Sequence, residues 1–327
     1  MSHASSGPLL RGIIPPLVTP LLGPDELDED ALARLIEHLL NGGVSGIFVL
    51  GTTGEGPSLS TRLQRELIRR ACHHVRGRVP VLVGITDASL PESIALARDA
   101  ADAGAAAVVV APPPYFPTAQ AELIGYLRRL CAASPLPLVL YNLPLHTKVR
   151  IEPETVRQLA DVPGVIALKD SSGNMLDFHR TRLALEDRPD FALLVGPEEL
   201  LAESVLLGAH GGVSGGANLF PSLYVRLHQA AQAGDLATTR RLHGCVMRVS
   251  TRLYGVSGYG SSMLRGLKSA LELRGLCRNV LAEPFTPFSP EEQERIRRHL
   301  QELLAQDQDD LTAPVPVHPT SGVHLVH

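Results

Sequence analysis

Short apolar runs alternate with amphipathic stretches along most of the chain. The runs are bounded by turn residues and are apolar throughout, which is typical of parallel strands covered on both faces. Eight such strands are predicted, at residues 12–18, 46–50, 79–85, 105–111, 136–142, 164–170, 191–196 and 211–216.

The stretches between the strands carry the period of amphipathic helices. Ser, Thr, Asp or Pro stands at their starts and Gly at several of their ends, which are the usual boundary signals. Helices are predicted at residues 28–41, 61–76, 91–103, 120–133, 153–160, 176–186, 198–207 and 221–231. Strands and helices therefore alternate through most of the chain.

This alternation predicts the fold class. Eight strand–helix units within roughly 220 residues are the content of a closed (β/α)8 barrel, the α/β TIM barrel, and we place it at residues 11–234. The alternative, a doubly wound open sheet, requires a glycine-rich phosphate motif after its first strand. The sequence there, "PPLVTPLLGP", contains no such motif, which favours the barrel.

The chain extends beyond the predicted barrel at both ends. Residues 1–10 are expected to be a flexible N-terminus. Helical patterns at 235–255, 262–274 and 290–305 predict a C-terminal appendix of three helices over residues 235–305. Residues 306–327 have no helical period and contain several prolines, so a mobile tail is expected there.

Composition excludes several classes of function. A net charge of −4 and a pI near 6.4 leave no basic footprint for nucleic acid. No apolar run reaches the ~18 residues of a membrane helix, and the first ten residues lack the regions of a signal peptide. The cysteines are dispersed, and His73–His74 beside Cys72 lack metal-ligand spacing. We therefore expect a cytoplasmic protein with no metal site.

Lysine is unusually scarce in this chain. Of 30 basic residues only Lys148, Lys169 and Lys268 are lysines. Arginine stays protonated, whereas lysine can release its proton, so each lysine is a candidate for a role that needs an amine. Lys169 ends the sixth apolar strand, and the alternation of side chains along a strand predicts that Val165, Ala167 and Lys169 point into the barrel.

Tyr141 is predicted to lie beside Lys169. It ends the fifth strand, on the same face as Val139, and neighbouring strands are ~5 Å apart. Burial in an apolar cavity lowers the pKa of a lysine, and a neutral amine attacks a ketone to form a Schiff base. A nearby tyrosine can relay the protons of that reaction. The alternative is a lysine that pairs with Asp170 or another acid near the barrel rim.

A candidate anion site follows the second strand. In "GTTGE", residues 51–55, a glycine-flanked turn presents backbone N–H groups and two hydroxyls. Gly51, Thr52 and Thr53 therefore fit a small anion such as a carboxylate. The alternative is an ordinary glycine-rich turn that leads into the next helix.

Further candidates follow the last two strands. The small residues of "GGVSGGAN" at 211–218 leave room for a ligand, or they allow a short strand to pack closely. The two acids of "GPEEL" at 196–200 fit the hydroxyls of a polyol, or they complement a helix dipole. The candidate binding residues at these strands are Gly196, Glu198, Glu199, Val213, Ser214 and Gly215.

Five motifs occur in a particular order along residues 11–303. They are "GTTGE" at 51–55, "YNLP" at 141–144, "ALKD" at 167–170, "GGVSGGAN" at 211–218 and "GLKSALELRG…PFTPFS" at 266–289. In this order and at these separations they resemble the dihydrodipicolinate synthase / N-acetylneuraminate lyase family of pyruvate-type class I aldolases.

The resemblance implies a role for each matching residue. Lys169 resembles the Schiff-base lysine, and Tyr141 resembles the tyrosine that relays protons. Thr52 and Thr53 resemble the pair that holds the 2-oxo acid carboxylate, with Thr52 also in the relay. Tyr115 resembles a tyrosine lent to a neighbouring subunit. The family further implies a homotetramer, pyruvate and an aldehyde as partners, and no cofactor beyond the covalent substrate.

One departure from the family bears on the second substrate. Where the synthases carry an arginine that grips the carboxylate of aspartate semialdehyde, this chain has His146. Neutral histidine is a poor substitute for a bidentate clamp, so we expect a lyase acting on a 2-keto-3-deoxy sugar acid or a related 2-oxo acid. The alternatives are dihydrodipicolinate synthase itself, a dehydratase using the same Schiff base, and a non-catalytic barrel that binds oxo acids.

Overall fold

A computed structural model describes residues 10–315 and confirms the predicted (β/α)8 barrel. The strands are parallel and pair in chain order, and the first also pairs with the last. A bridge between Pro16 and Phe48 closes the ring. The strands are β1 (Gly12–Ile13), β2 (Ile47–Val49), β3 (Val81–Gly84), β4 (Ala107–Val110), β5 (Leu138–Asn142), β6 (Val165–Asp170), β7 (Ala192–Val195) and β8 (Gly211–Gly212).

Helices surround the barrel and continue beyond it. The outer helices are α1 (Glu29–Asn41), α2 (Thr61–Val75), α3 (Leu90–Asp102), α4 (Gln120–Ala133), α5 (Pro153–Ala160), α6 (Met175–Ala184), α7 (Leu201–Leu206) and α8 (Pro221–Gln232). The appendix consists of α9 (Leu236–Tyr254), α10 (Ser262–Leu273) and α11 (Pro290–Thr312). In residues 10–315 no helix has both the length and the apolar character needed to span a membrane.

Most side chains of β5 and β6 point to the predicted face of their strand. Val139, Tyr141 and Ala167 lie in the apolar cluster that fills the barrel interior, whereas Leu168 faces the helices. The prediction for Val165 is wrong. The pairing of β5 with β6 shifts by one residue there, and this places Val165 in the outer cluster with the helix-facing residues. The shift lies before Lys169, so it does not change the face on which the lysine stands.

Several short elements differ from the prediction. The first strand ends at Ile13 rather than 18, because two prolines follow and proline offers no N–H to a ladder. The eighth ends at Gly212, and residues 215–218 form a 3-10 turn instead. The helix predicted at 198–207 is a 3-10 turn, Glu198–Leu200, followed by α7. A small hairpin at residues 21–27 was not predicted.

The prediction of a mobile tail is wrong for residues 306–312, because α11 continues to Thr312. Leu303 and Leu311 are buried, and α11 packs against α8, α9 and α10. Arg248 of α9 donates two hydrogen bonds of 2.7 Å to the Asp307 carboxylate, at a break in the helical dihedral angles. These tertiary contacts hold residues 306–312 in a helix. The predicted flexible start, apart from residue 10, and residues 316–327 lie outside the described residues.

Candidate active site

The two principal candidate residues stand side by side. Tyr141 and Lys169 are register partners at the C-terminal ends of β5 and β6, where barrel enzymes carry their chemistry. The Lys169 Nζ lies 3.9 Å from the centre of the Tyr141 ring and 4.9 Å from the centre of the Phe48 ring. The two side chains are buried, Lys169 with 5% and Tyr141 with 7% of its surface exposed. The amine is therefore buried against two aromatic rings.

The alternative role for Lys169, an ion pair with Asp170, does not occur. The Asp170 carboxylate accepts hydrogen bonds from the Ser172 backbone N–H at 2.7 Å and from Asn142 Nδ2 at 3.2 Å. Lys268, by contrast, does form a buried ion pair. In the described part of the chain no carboxylate pairs with Lys169. Its amine is therefore available to a ligand in the cavity.

The surroundings of Tyr141 favour proton transfer. Burial by itself raises the pKa of this phenol, but the positive charge of Lys169 and contacts from Thr52, Lys169 and Ser171 lower it, and the net direction is downward. The phenolate is then reached more easily than in water. Tyr141 is thus suited to pass protons to and from a group bound at Lys169.

The "GTTGE" turn brings hydroxyls to the same cavity. It follows β2 through Leu50, whose φ of +59° turns the chain sharply. A Cβ at Gly56 would collide with the Leu50 carbonyl, so the turn requires glycine there. Thr53 is buried and Thr52 is exposed. The two threonines line one wall of the cavity.

The C-terminal appendix anchors this turn. The Glu55 carboxylate forms an ion pair with Lys268 of α10, and both side chains are fully buried. The second oxygen of Glu55 accepts a hydrogen bond of 2.8 Å from the backbone N–H of Ala282. Lys268 is therefore structural, and the appendix takes part in shaping the site.

A cavity of about 220 Å3 joins these groups. Most of the predicted site residues line it, together with five that were not predicted. The predicted members are Thr52, Thr53, Tyr141, Lys169, Gly196, Glu198, Glu199, Val213 and Gly215, and the others are Pro16, Ser171, Pro197, Tyr254 and Met263.

Glu198 is a buried acid in the wall of this cavity, with 3% of its surface exposed. Its Oε1 accepts hydrogen bonds from the hydroxyls of Tyr224, at 2.6 Å, and Tyr254, at 2.8 Å. Its Oε2 accepts one from the Gly216 backbone N–H at 2.7 Å. Burial, with a smaller contribution from the Glu199 charge, raises its pKa to about 7, although these hydrogen bonds oppose the shift. Glu198 is therefore not a simple helix-dipole partner.

Four of the predicted site residues do not line the cavity that contains Lys169. Gly51 and His146 line a second cavity of about 370 Å3, which also reaches Thr52 and Tyr141. Ser214 is buried outside both cavities, and its hydroxyl has no hydrogen-bond partner among residues 10–315. Tyr115 is 88% exposed and stacks edge-on against Phe116 at the surface. It does not reach the site of its own chain.

The residues missed by sequence reasoning come from two sources. Ser171 follows Lys169 by two positions, so strand parity could have identified it. Tyr254 and Met263 come from α9 and α10, and no local pattern indicates that these helices reach the barrel mouth. In the described residues, no three His, Cys, Asp or Glu side chains come together as metal ligands.

A buried lysine beside a tyrosine, at the ends of two strands of an eight-stranded barrel, is the arrangement expected of a class I aldolase-type lyase. The match to known proteins agrees with this class. The model of the dihydrodipicolinate synthetase family matches residues 9–303, and the chain belongs to that family.

Relatives are similar over most of their length. A 4-hydroxy-tetrahydrodipicolinate synthase of Thermomicrobium roseum is 36% identical over 88% of this chain and 93% of its own. A solved dihydrodipicolinate synthase of Bacteroides thetaiotaomicron is 55% identical, with a TM-score of 0.88 over 90% of this chain and 99% of its own. YagE of E. coli K12, solved in complex with pyruvate, is 30% identical, with a TM-score of 0.85 over 90% and 99%.

Proposed function

We propose that Lys169 forms a Schiff base with the keto carbon of pyruvate or a related 2-oxo acid, and that the enzyme makes or breaks the adjacent carbon–carbon bond. The observation that carries this proposal is the buried Lys169 amine, which pairs with no carboxylate of residues 10–315 and lines a cavity beside Tyr141. A protonated imine accepts the electron pair of the breaking bond. No cofactor is needed in this scheme, because the covalently bound substrate supplies the electron sink.

The roles proposed for Thr52, Thr53 and Tyr141 follow from their positions in the wall of the cavity beside Lys169. Thr52 and Thr53 hold the carboxylate of the oxo acid, because their turn presents hydroxyls beside Lys169. Tyr141 moves protons during addition of the amine and loss of water, in keeping with its lowered pKa. Hydrogen bonds to the carboxylate also orient the keto carbon toward the amine.

The second substrate has two candidates. The names of the relatives favour 4-hydroxy-tetrahydrodipicolinate synthase, which joins pyruvate to aspartate semialdehyde. Cleavage of a 2-keto-3-deoxy sugar acid is favoured by His146 and by the acids Glu198 and Glu199 in the cavity wall. Partial burial, together with the Lys148 charge, lowers the pKa of His146, so its ring is mostly neutral at pH 7 and gives little help to a second carboxylate.

Borohydride trapping tests the Schiff base. Wild type incubated with pyruvate and borohydride should carry one covalent adduct on the peptide that contains Lys169. The Lys169→Arg variant should carry none, whereas Lys148→Arg, at an exposed lysine, should be labelled like wild type. Absence of an adduct, or labelling at another lysine, overturns the mechanism.

Product analysis then separates the candidate reactions. Pyruvate consumption with aspartate semialdehyde identifies the synthase, and release of pyruvate plus an aldehyde from 2-keto-3-deoxygluconate identifies the sugar-acid lyase. A single dehydrated oxo acid would identify the dehydratase. Trapping without turnover of either substrate would leave a barrel that only binds oxo acids.

We also infer a homotetramer, in which Tyr115 serves the site of a neighbouring copy. The exposed pair Tyr115 and Phe116 forms one apolar patch. Leu176 and Leu183 of α6, with Leu207 after α7, are exposed at 52–60% and offer apolar surface elsewhere. Sedimentation should show a tetramer for wild type and a smaller species for the Tyr115→Ala/Phe116→Ala variant. A wild-type monomer contradicts this inference. The cytoplasmic location remains a prediction.

A further inference from the structure

Phe48 reaches the reactive amine from the opposite side of the barrel. It lies on β2, which is four strands away from β6 in the ring of eight, and 2% of its surface is exposed. The centre of its ring is 4.9 Å from Lys169 Nζ and 6.4 Å from the centre of the Tyr141 ring, which it meets edge-on at 83°. One ring therefore contacts both principal side chains of the proposed Schiff-base site.

The same ring packs on the turn that is proposed to hold the carboxylate. A Cβ added at Gly51 would lie 2.7 Å from Phe48 Cε1 and 3.1 Å from Cζ, closer than the ~3.5–4.0 Å at which carbon atoms pack. An aromatic ring is rigid and cannot yield as the end of a flexible chain does, so the ring keeps its place because residue 51 is glycine. Phe48 thus touches the first residue of the turn as well as the amine.

Phe48 and Lys169 border different cavities. The ring lines the larger cavity of about 370 Å3, whereas Lys169 lines the smaller one of about 220 Å3, and Thr52 and Tyr141 border both. The ring therefore supports the amine from the side of the larger cavity. Lysine has a flexible four-carbon stem, so a smaller side chain at position 48 would give the amine room to turn toward the larger cavity.

We propose that Phe48 is a positioning residue for Lys169. Its ring keeps the amine in the smaller cavity, at a fixed separation from the turn that carries Thr52 and Thr53, and it acts without touching the oxo acid. The inference rests on the proposed Schiff base at Lys169. In that reaction the nitrogen lone pair must meet the keto carbon while the carboxylate stays on the turn. Misplacing a reacting group by about 1 Å costs on the order of 100-fold in rate.

The turn keeps other supports when the ring is removed. Glu55 remains paired with Lys268, and the Gly54 carbonyl accepts a hydrogen bond of 2.6 Å from Thr19 Oγ1. Binding of the pyruvate carboxylate should therefore persist in a Phe48 variant, whereas attack by the amine should slow. A role in the general stability of the fold would not separate these two quantities.

Borohydride trapping of pyruvate measures both quantities. Mass spectrometry follows the initial rate of trapping over a range of pyruvate concentrations, which gives a saturating rate and a half-saturating concentration. In Phe48→Leu the saturating rate should fall by about 100-fold, while the half-saturating concentration stays close to that of wild type. Phe191→Leu is the matched control, because this ring is equally buried but lies in the helix-facing cluster just before β7. It should lower the melting temperature and leave trapping unchanged.

A second variant distinguishes confinement of the amine from attraction to the ring face. Phe48→Met keeps a long, unbranched side chain that has no ring. It should trap pyruvate faster than Phe48→Leu and more slowly than wild type, so it tests the proposal alone if Phe48→Leu does not fold. Equal rates in the two variants overturn the proposal, because loss of the cation–π attraction would then account for the effect.

Two other results also overturn the proposal. One is wild-type trapping in Phe48→Leu. The other is a loss confined to the half-saturating concentration, since the ring would then serve the turn alone. Failure of wild type to trap pyruvate refutes the Schiff base instead.

Discussion

Replacing Lys268 by methionine isolates one buried charge. Lys268 pairs with Glu55, and both side chains have 0% of their surface exposed. The Lys268 Nζ also donates a hydrogen bond to the Val280 carbonyl at 2.5 Å. Methionine preserves most of the aliphatic stem but removes the cation. The Glu55 carboxylate is then left with the Ala282 N–H as its remaining hydrogen-bond donor among residues 10–315.

The expected loss of stability is large. Removing one member of a buried ion pair costs about 3–5 kcal/mol, because the other charge stays desolvated. At about 2 °C per kcal/mol for a chain of this size, the melting temperature should fall by roughly 6–10 °C. Circular dichroism during heating measures it. Lys148→Met is the control, since within the described residues its exposed Nζ donates to the Leu145 carbonyl alone, at 2.7 Å, and its stability should change by less than about 0.5 kcal/mol.

A double variant tests the reason for the loss. Combining Lys268→Met with Glu55→Gln removes the uncompensated charge, so part of the stability should return. If Lys268→Met alone loses less than about 1 kcal/mol, the pair is not desolvated as the structure indicates. A double variant less stable than Lys268→Met would likewise refute the reasoning, because the charge would not be the source of the loss.

Three further predictions concern other parts of the molecule. Thr53→Val should raise the KM for pyruvate about tenfold or more in steady-state assays, because a hydrogen bond to a charged group contributes about 1.5–3 kcal/mol. An unchanged KM would show that Thr53 does not bind the carboxylate of pyruvate. Glu198 has a pKa of about 7 in the folded protein against 4.5 as its reference, so the folded state keeps a proton that the unfolded chain releases. Stability should therefore fall by on the order of 3 kcal/mol as the pH rises across this interval, and urea unfolding of Glu198→Gln should lack that slope. Arg248→Ala should destabilise the end of α11 by roughly 1–3 kcal/mol, because the Asp307 carboxylate, whose side chain is 9% exposed, loses the arginine that it is bonded to. Amide hydrogen exchange around residue 307 at the wild-type rate would contradict this.

The barrel and the Lys169–Tyr141 pair could be predicted because they follow local rules. Apolar runs and turn residues locate each strand, and parity along β5 and β6 places both side chains inside. Val165 shows the limit of these rules. Its face depends on a register shift against the neighbouring strand, and no residue type in either strand indicates it.

Contacts between distant segments explain what the sequence did not reveal. Residues 306–312 have no helical period in the sequence, and they are helical because α9 supplies an arginine for Asp307 and because Leu311 is buried. Tyr254 was assigned to an appendix helix, yet its hydroxyl binds Glu198 in the barrel. The scarcity of lysine identified Lys268 as a candidate amine, but only its partner, Glu55, shows that it has a structural role.

The bond between the early turn and the late appendix bears on how the chain is made. Translation delivers Glu55 long before Ala282, 227 residues later. A nascent chain that has reached Gln232 already possesses every strand of the barrel. Its turn at residues 51–55 can then form the hydrogen bond from Thr19 Oγ1 to the Gly54 carbonyl, but Glu55 still lacks Lys268 and the Ala282 N–H. The last contacts of this turn therefore form late in synthesis, and shortening the protein to its eight-stranded part would remove the cation that pairs with Glu55.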